Sequence, residues 1–76
     1  MEGLGDRLRF ARERKLWTQQ RLSEETGVMI ATISRIENGH HTRRPLTATL
    51  TALAKALDVT PEWLVFGDEE AGKLAA

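Results

Sequence analysis

The sequence predicts a compact all-α domain of five short helices. Apolar residues recur at helical spacing in five separate segments. No segment shows the apolar–polar alternation of a half-buried strand, and β-branched residues are scattered. Glycine, proline or a capping residue separates each segment from the next. With 76 residues in total, the chain has room for one small domain.

The composition excludes several classes of protein. The chain contains no cysteine, which rules out disulfides and thiolate metal sites. Apolar residues make up 41% of it, too many for a disordered chain. No apolar run is long enough to span a bilayer, and the first six residues lack the features of a signal peptide. We therefore expect a soluble cytoplasmic protein that has no contact with a membrane.

The first two predicted helices cover residues 4–15 and 19–25. In the first, Leu4, Leu8 and Ala11 form one apolar stripe, and arginines and a lysine cover the other faces. Phe10 lies off this stripe. The hydroxyl of Thr18 is placed to cap the second helix, and Gly27 to end it in the left-handed conformation.

The third predicted helix covers residues 29–37, and its apolar pattern leaves one face free. Val28, Ile33 and Ile36 are expected to point inward. The intervening residues are left for the other faces, and Asn38 with Gly39 closes the helix. A free face of this kind is available for a partner.

The last two predicted helices cover residues 46–57 and 61–66. Pro45 precedes the fourth, and Pro61 occupies the first position of the fifth, behind the capping residue Thr60. The apolar face of the fourth helix consists of Leu46, Leu50, Leu53, Ala54 and Leu57. Gly67 ends the fifth helix. We expect the folded domain to span residues 1–67 and a flexible, acidic and polar tail to span 68–76.

Charge is divided unevenly along a chain whose net charge is zero. Residues 1–44 carry nine basic and six acidic residues, a net +3, and residues 45–76 carry two and five, a net −3. The footprint of a nucleic-acid binder depends on local basic clusters more than on the total. The division permits such a partner, although it is also within the variation of small proteins.

Residues 19–38 have the pattern of a helix-turn-helix, two short helices around a glycine with apolar residues where the helices touch. Over residues 4–67 the chain resembles the Cro/phage-repressor type of helix-turn-helix domain, also called lambda-repressor-like or XRE-type. The segments that carry the resemblance are Arg7-Leu8-Arg9, Ala11-Arg12, Thr18-Gln19, Leu22, Gly27-Val28, Ile33-Ser34-Arg35-Ile36-Glu37-Asn38-Gly39, Pro45, Thr49-Leu50, Ala54, Ala56-Leu57, Val59-Thr60-Pro61 and Trp63-Leu64.

The chain departs from the family pattern at three positions. Leu16 stands where the family often has glycine, which implies strain of about 1–2 kcal/mol if the backbone there is left-handed. Met29 replaces the usual serine or threonine cap of the third helix, a loss of about 1 kcal/mol. Asp58 replaces a frequent glycine, and aspartate tolerates that conformation better than most residues.

The resemblance implies that the third helix enters the major groove of DNA. Arg35 is the leading base reader, because a guanidinium bonds O6 and N7 of guanine. Ile30 and Ala31 would contact thymine methyl groups. The full set of predicted base contacts is Ile30, Ala31, Thr32, Ser34 and Arg35, and that of phosphate contacts is Arg12, Gln19, Asn38, Thr42, Arg43 and Arg44.

The resemblance also implies a structural ion pair between Arg12 and Glu37, and binding to DNA as a dimer. A two-fold dimer on a palindromic operator reads two half-sites. Helix 5 carries more apolar side chains than so short a helix can bury, and Val65 and Phe66 are the predicted interface. His40 and His41 are adjacent in sequence and without cysteine, which argues against a metal site. No cofactor is expected.

The leading interpretation is a sequence-specific DNA-binding transcriptional regulator, a repressor in the first instance, on double-stranded operator DNA. The alternative is the antitoxin of a toxin–antitoxin pair, which would use this fold to bind both DNA and a toxin. A protein-interaction module without DNA binding, and the DNA-binding part of a regulator with an effector domain, also stay open. An enzyme is the least favoured class, since no catalytic arrangement or phosphate-binding glycine loop occurs.

Overall fold

The computed structural model describes residues 3–40 and 43–67, which form the predicted all-α fold. Its helices are α1 (Leu4–Arg14), α2 (Gln19–Thr26), α3 (Ile30–Glu37), α4 (Thr47–Leu57) and α5 (Pro61–Phe66). Across these two ranges there is no strand, and no helix is long and apolar enough to cross a membrane. The predicted tail, residues 68–76, lies outside the described residues.

The helices begin and end at the residues whose chemistry marks a terminus. The side chain of Thr18 accepts a hydrogen bond from the Arg21 N–H (3.0 Å), and that of Thr60 accepts one from the Trp63 N–H (2.9 Å). Gly27 and Gly67 end α2 and α5 with φ of 76° and 67°. The threonine caps satisfy N–H groups that would otherwise lack a partner, and the N–H groups of the two glycines bond to carbonyls of the last turn. Both kinds of cap confirm the sequence prediction.

A single core holds the helices together. α3 packs against α1 and α2, and α5 closes the opposite side against α1 and α4. The large side chains buried in the core come from every helix: Leu8, Leu22, Ile33, Ile36, Leu53, Leu57 and Leu64. Burying a leucine or isoleucine fully contributes about 1.5–3 kcal/mol. The core therefore fixes α3 from its inner side and leaves its outer side free.

Leu46 was predicted on the apolar face of α4, and this prediction is wrong. Leu46 is the residue before the helix, with ψ of 146°, and its side chain is 76% exposed. Because its backbone is extended, its side chain does not follow the helical stripe that Leu50 continues. Leu50 itself is buried as expected.

The sequence placed Arg7 among the arginines that cover α1 outside its apolar stripe, and the structure buries this one. Its side chain donates from Nε to the Leu64 carbonyl (2.8 Å) and from Nη2 to the Val65 carbonyl (2.7 Å). The last carbonyls of a helix have no partner within the helix, and a cation there also favours the helix dipole. Arg7 therefore fixes the C-terminal end of α5 against α1.

Candidate nucleic-acid interface

The angle between α2 and α3 is set by the turn that joins them. Gly27 adopts the left-handed conformation, and a Cβ atom there would meet nothing within 4 Å, so the backbone alone favours glycine. The Ser23 hydroxyl donates to the Val28 carbonyl (2.6 Å), which ties the end of the turn back to α2. Ile33 and Ile36 are buried on the inner side of α3.

The outer side of α3 carries the predicted base-reading residues. Ile30, Ala31 and Arg35 are exposed, whereas Thr32 and Ser34 are half-buried. The Ser34 hydroxyl accepts a hydrogen bond from Asn38 Nδ2 (3.3 Å). The five residues thus fall into an exposed group of three and a more enclosed pair beside it.

Basic side chains surround a surface cavity of about 420 Å³ at the C-terminal end of α3. Arg35, Arg43 and Arg44 contribute the basic lining, and His40 lies beside them. Thr32, Ile36, Pro45 and Leu46 complete the wall. Arg43 and Arg44 are exposed, as phosphate contacts must be, but the predicted phosphate contact Thr42 and the neighbouring His41 lie outside the described residues.

Glu37, at the end of α3, is the centre of a buried polar network. Its side chain has no exposed area, and its Oε2 atom accepts from Arg12 Nε at 2.7 Å. Its Oε1 atom accepts from Arg12 Nη2 at 2.9 Å and from Gln19 Nε2 at 3.0 Å. Arg12 also donates from Nη1 to the Trp17 carbonyl (2.8 Å). The ion pair implied by the family resemblance is present in the structure, and the network joins α1, α2 and α3.

The network keeps the Glu37 carboxylate charged. Burial alone would raise the pKa of Glu37, but the hydrogen bonds from Arg12 and Gln19 outweigh it and hold that pKa below its ordinary value. The same hydrogen bond to Glu37 raises the pKa of Arg12. Both groups therefore stay ionised at neutral pH.

Two predicted phosphate contacts take part in this network. The Gln19 amide donates one N–H to Glu37. Its second N–H, at the N-terminus of α2, can donate to another acceptor. The Arg12 side chain is only 11% exposed, and Glu37 and Trp17 occupy three of its five N–H donors. Gln19 is thus better placed than Arg12 to contact a ligand in solution.

Sequence reasoning missed Arg9, which lies on the same edge of α1 as Arg12. Its Nη2 atom donates to Asn38 Oδ1 (3.3 Å) and to the Glu37 carbonyl (3.5 Å). The two arginines are three residues apart, which puts them on one face of the helix. That spacing could have indicated from the sequence that Arg9 lies beside Arg12. Arg9 brings α1 to the predicted phosphate contact Asn38.

The predicted dimer contacts lie at the C-terminal end of α5. Phe66 is 64% exposed, and Val65 is half-buried. The Arg44 guanidinium lies over the Phe66 ring, 5.3 Å from its centroid. On the neighbouring side, Phe10 and Trp63 form a tilted aromatic pair with centroids 6.5 Å apart. Together the fold, the tight turn and the free face of α3 define a helix-turn-helix domain.

Known proteins share this architecture. A helix-turn-helix family model matches residues 8–64. The chain is 42% identical over 66 residues to the HTH-type transcriptional repressor RghR of Bacillus subtilis, covering 87% of this chain and 48% of RghR. It is 33% identical over 67 residues to the HTH-type transcriptional regulator DicA of Escherichia coli, covering 88% of this chain and 48% of DicA. The chain thus spans about half the length of these relatives.

Solved structures agree with the sequence comparison. The P22 c2 repressor in complex with a synthetic operator superposes with a TM-score of 0.81 and 32% identity, over 90% of this chain and all of that one. The biofilm regulator SinR in complex with DNA gives 0.76 and 30%, over 80% and 95% of the two chains. The chain belongs to the helix-turn-helix family of the XRE, or lambda-repressor-like, type.

Proposed function

We propose that this chain is a sequence-specific DNA-binding domain of a transcriptional regulator, acting as a repressor. The observation that carries the proposal is the outer face of α3, which presents Arg35 beside a basic cluster while its inner face is fixed by the core. An α-helix fits the major groove, where base edges are distinguishable. Relatives named as a repressor and a regulator, and neighbours solved with operator or DNA, support the proposal.

The base contacts come from the exposed part of α3. Arg35 reads guanine through O6 and N7, and Ile30 and Ala31 read thymine methyl groups. Thr32 and Ser34, which are half-buried, contact base edges next to those that Ile30, Ala31 and Arg35 read. Replacing Arg35 should relax specificity at one guanine position, at a cost of about 1–3 kcal/mol.

The phosphate contacts flank α3 on both sides and set its register. On one side, the second N–H of the Gln19 amide and the N-terminus of α2 receive a phosphate. On the other side lie Asn38, Arg43 and Arg44. The proposal also includes Thr42, which is outside the described residues. Arg12 contributes mainly by holding Glu37, and hence Gln19, in place.

The chain binds a palindromic operator as a homodimer, with Val65 and Phe66 at the interface. A ring as exposed as that of Phe66 gains by burial against a second copy. The variant Phe66→Glu would place a charge in that contact. We expect it to lower the sedimentation mass and the affinity for a two-half-site operator. An unaltered mass together with unaltered affinity would exclude this interface.

We infer a regulatory role without catalysis, exercised on DNA in the bacterial cytoplasm. The relatives are bacterial proteins named as a repressor and a regulator of transcription. Neither name indicates a toxin partner, so the antitoxin alternative receives no support from them. No cofactor enters the proposal.

The deciding experiment is selection of the full chain on a randomised duplex pool at two salt concentrations. We expect enrichment of a palindrome whose half-sites lie about one helical turn, ~34–36 Å, apart. The variant Arg35→Ala should lose the enrichment at one guanine, whereas Glu62→Ala, on an exposed position of α5, should not. Salt-sensitive retention without enrichment would mean binding to the backbone alone and would reject the proposal.

A further inference from the structure

Arg44 differs from several other arginines in what holds it. Arg9 and Arg12 face the carboxylate of Glu37. Arg21 pairs with Glu25 as well as lying over the Trp17 ring. Arg44 is held by the ring of Phe66, 5.3 Å below its guanidinium carbon. Within residues 3–40 and 43–67, no carboxylate lies within ion-pair distance of Arg44. Its charge is therefore not neutralised by an acidic neighbour among them.

A guanidinium that lies over a ring can still bind an anion. A cation–π contact uses the flat face of the group, whereas its five N–H donors point outward from the edge. A carboxylate partner would instead occupy two of those donors. A ring is thus a support that orders the side chain and keeps its hydrogen-bonding capacity for a ligand.

The position of Arg44 joins two surfaces that the proposed function treats separately. Arg44 lines the basic cavity at the end of α3 together with Arg35 and Arg43. Phe66, which it covers, is at the end of α5 and is 64% exposed. The contact with Phe66 therefore brings a predicted phosphate contact against a predicted dimer contact.

We propose that Phe66 is a positioning residue for DNA binding, which holds the Arg44 guanidinium over its ring so that the N–H edge meets a backbone phosphate. This inference rests on the proposed function. Ordering a flexible arginine before binding removes part of the entropy cost of the complex. The same ring then serves the dimer contact and the phosphate contact, and the two are coupled through it.

The test uses a short duplex with a single half-site from the selected operator, on which one copy of the chain binds. The measurement is made at chain concentrations at which sedimentation shows a monomer, so a loss caused by Phe66→Leu reports on Arg44 and not on the dimer contact. We expect about a two- to fivefold loss, the range of an exposed cation–π contact. Phe66→Tyr keeps the ring and should keep the affinity. Phe66 is mostly exposed, so equal melting temperatures should confirm that both variants fold.

Combining Phe66→Leu with a substitution of Arg44 or of Arg43 tests whether the effect of Phe66 acts through Arg44. Arg44→Gln should weaken half-site binding and lower the salt slope by about one, and adding Phe66→Leu should cause no further loss. The matched background is Arg43→Gln. Arg43 lines the same cavity, and no ring of the described residues lies beneath it, so Phe66→Leu should cause its full loss there. Equal losses in both backgrounds would overturn the inference.

The failures of the two proposals are distinguishable. If the wild-type chain enriches no duplex, the proposed function and this inference fall together. If the wild-type chain binds the half-site and Phe66→Leu binds equally or more tightly, the proposed function stands. Phe66 then acts only at the dimer contact or restrains Arg44 from DNA, and the positioning role is excluded.

Discussion

At the scale of single residues, the chain keeps backbone strain at a position that contributes little packing. Leu16 has φ of 61°, in the left-handed region, and its side chain is 93% exposed. The sequence identified this site through the missing glycine, and the structure shows the left-handed conformation that makes the departure costly. Asp58, with φ of 58°, is the second such residue among those described, and its carboxylate lies 2.8 Å from Lys15 Nζ.

Replacing Leu16 with glycine should therefore stabilise the domain. The variant Leu16→Gly removes a left-handed penalty of about 1–2 kcal/mol. Against this, glycine loses about 0.5–1 kcal/mol more in backbone entropy on folding. A net gain of about 0.5–1 kcal/mol should appear as a higher free energy of unfolding in urea.

Gly27→Ala is the reverse control for Leu16→Gly. Gly27 has φ of 76° with open space around it, so an added methyl group costs backbone strain without a clash. Gly27→Ala should lose about 0.5–1 kcal/mol, the left-handed penalty of about 1–2 kcal/mol less the backbone entropy of about 0.5–1 kcal/mol that alanine saves. If Leu16→Gly lowers the free energy of unfolding while Gly27→Ala behaves as expected, the prediction is wrong. Leu16 then makes a favourable contact in spite of its exposure.

At the scale of helices, the sequence pattern predicted well where each helix lies in the chain. It predicted poorly which residues bring two helices into contact. Capping residues and glycines located the helices to within a residue or two, because those signals are local in the chain. The pairing of Arg7 with the end of α5 joins residues 57 positions apart, and no periodicity encodes it. The sequence placed Arg7 only outside the apolar stripe of α1, and an arginine is rarely buried without a partner such as these carbonyls.

Gly5 is the second feature that the sequence did not reveal. A Cβ atom at Gly5 would lie 2.3 Å from the Ile36 carbonyl oxygen and 2.8 Å from that of Glu37. Both are backbone atoms, which cannot move aside as a flexible side chain does. Glycine here lets α1 approach the end of α3, the helix that carries the predicted base contacts.

The variant Gly5→Ala should therefore destabilise the domain strongly, although alanine favours helices by about 0.5–1 kcal/mol. We expect a cost of about 1–3 kcal/mol or more, as for an overpacked core, seen as a lower melting temperature. Gly3→Ala is the matched control, because nothing lies within 4 Å of its added Cβ. Equal melting temperatures for the two variants would show that α1 shifts at no cost.

At the scale of the whole molecule, the Glu37 network connects stability to the DNA-binding face. One buried carboxylate holds Arg12 of α1 and Gln19 of α2 while it closes α3. The family resemblance implied the ion pair between Arg12 and Glu37. It did not predict the hydrogen bond from Gln19 to Glu37, because a hydrogen bond between side chains on different helices depends on how the helices pack. The DNA-contacting residues of the candidate site thus come from the sequence and stay predictions, whereas the contacts that fix Gln19 were found only in the structure.

Glu37 should also give the domain a dependence on acid. Its pKa is lower in the folded chain than the ordinary value of 4.5, so the folded state favours the carboxylate. The contribution is fully present above the unfolded pKa and is lost as the pH falls from there through the folded pKa. Glu37→Gln removes the charge, leaves Arg12 without its partner and should cost about 3–5 kcal/mol at the buried limit.

Unfolding free energies measured from neutral pH downward test this prediction. The wild-type chain should lose stability in acid, and the curve of Glu37→Gln should start lower and fall less steeply. Glu25→Gln is the control, since Glu25 forms an exposed pair with Arg21 one helical turn away and should cost about 0.5 kcal/mol or less. If Glu37→Gln costs no more than Glu25→Gln and keeps the wild-type acid limb, the network orients Gln19 without stabilising the fold.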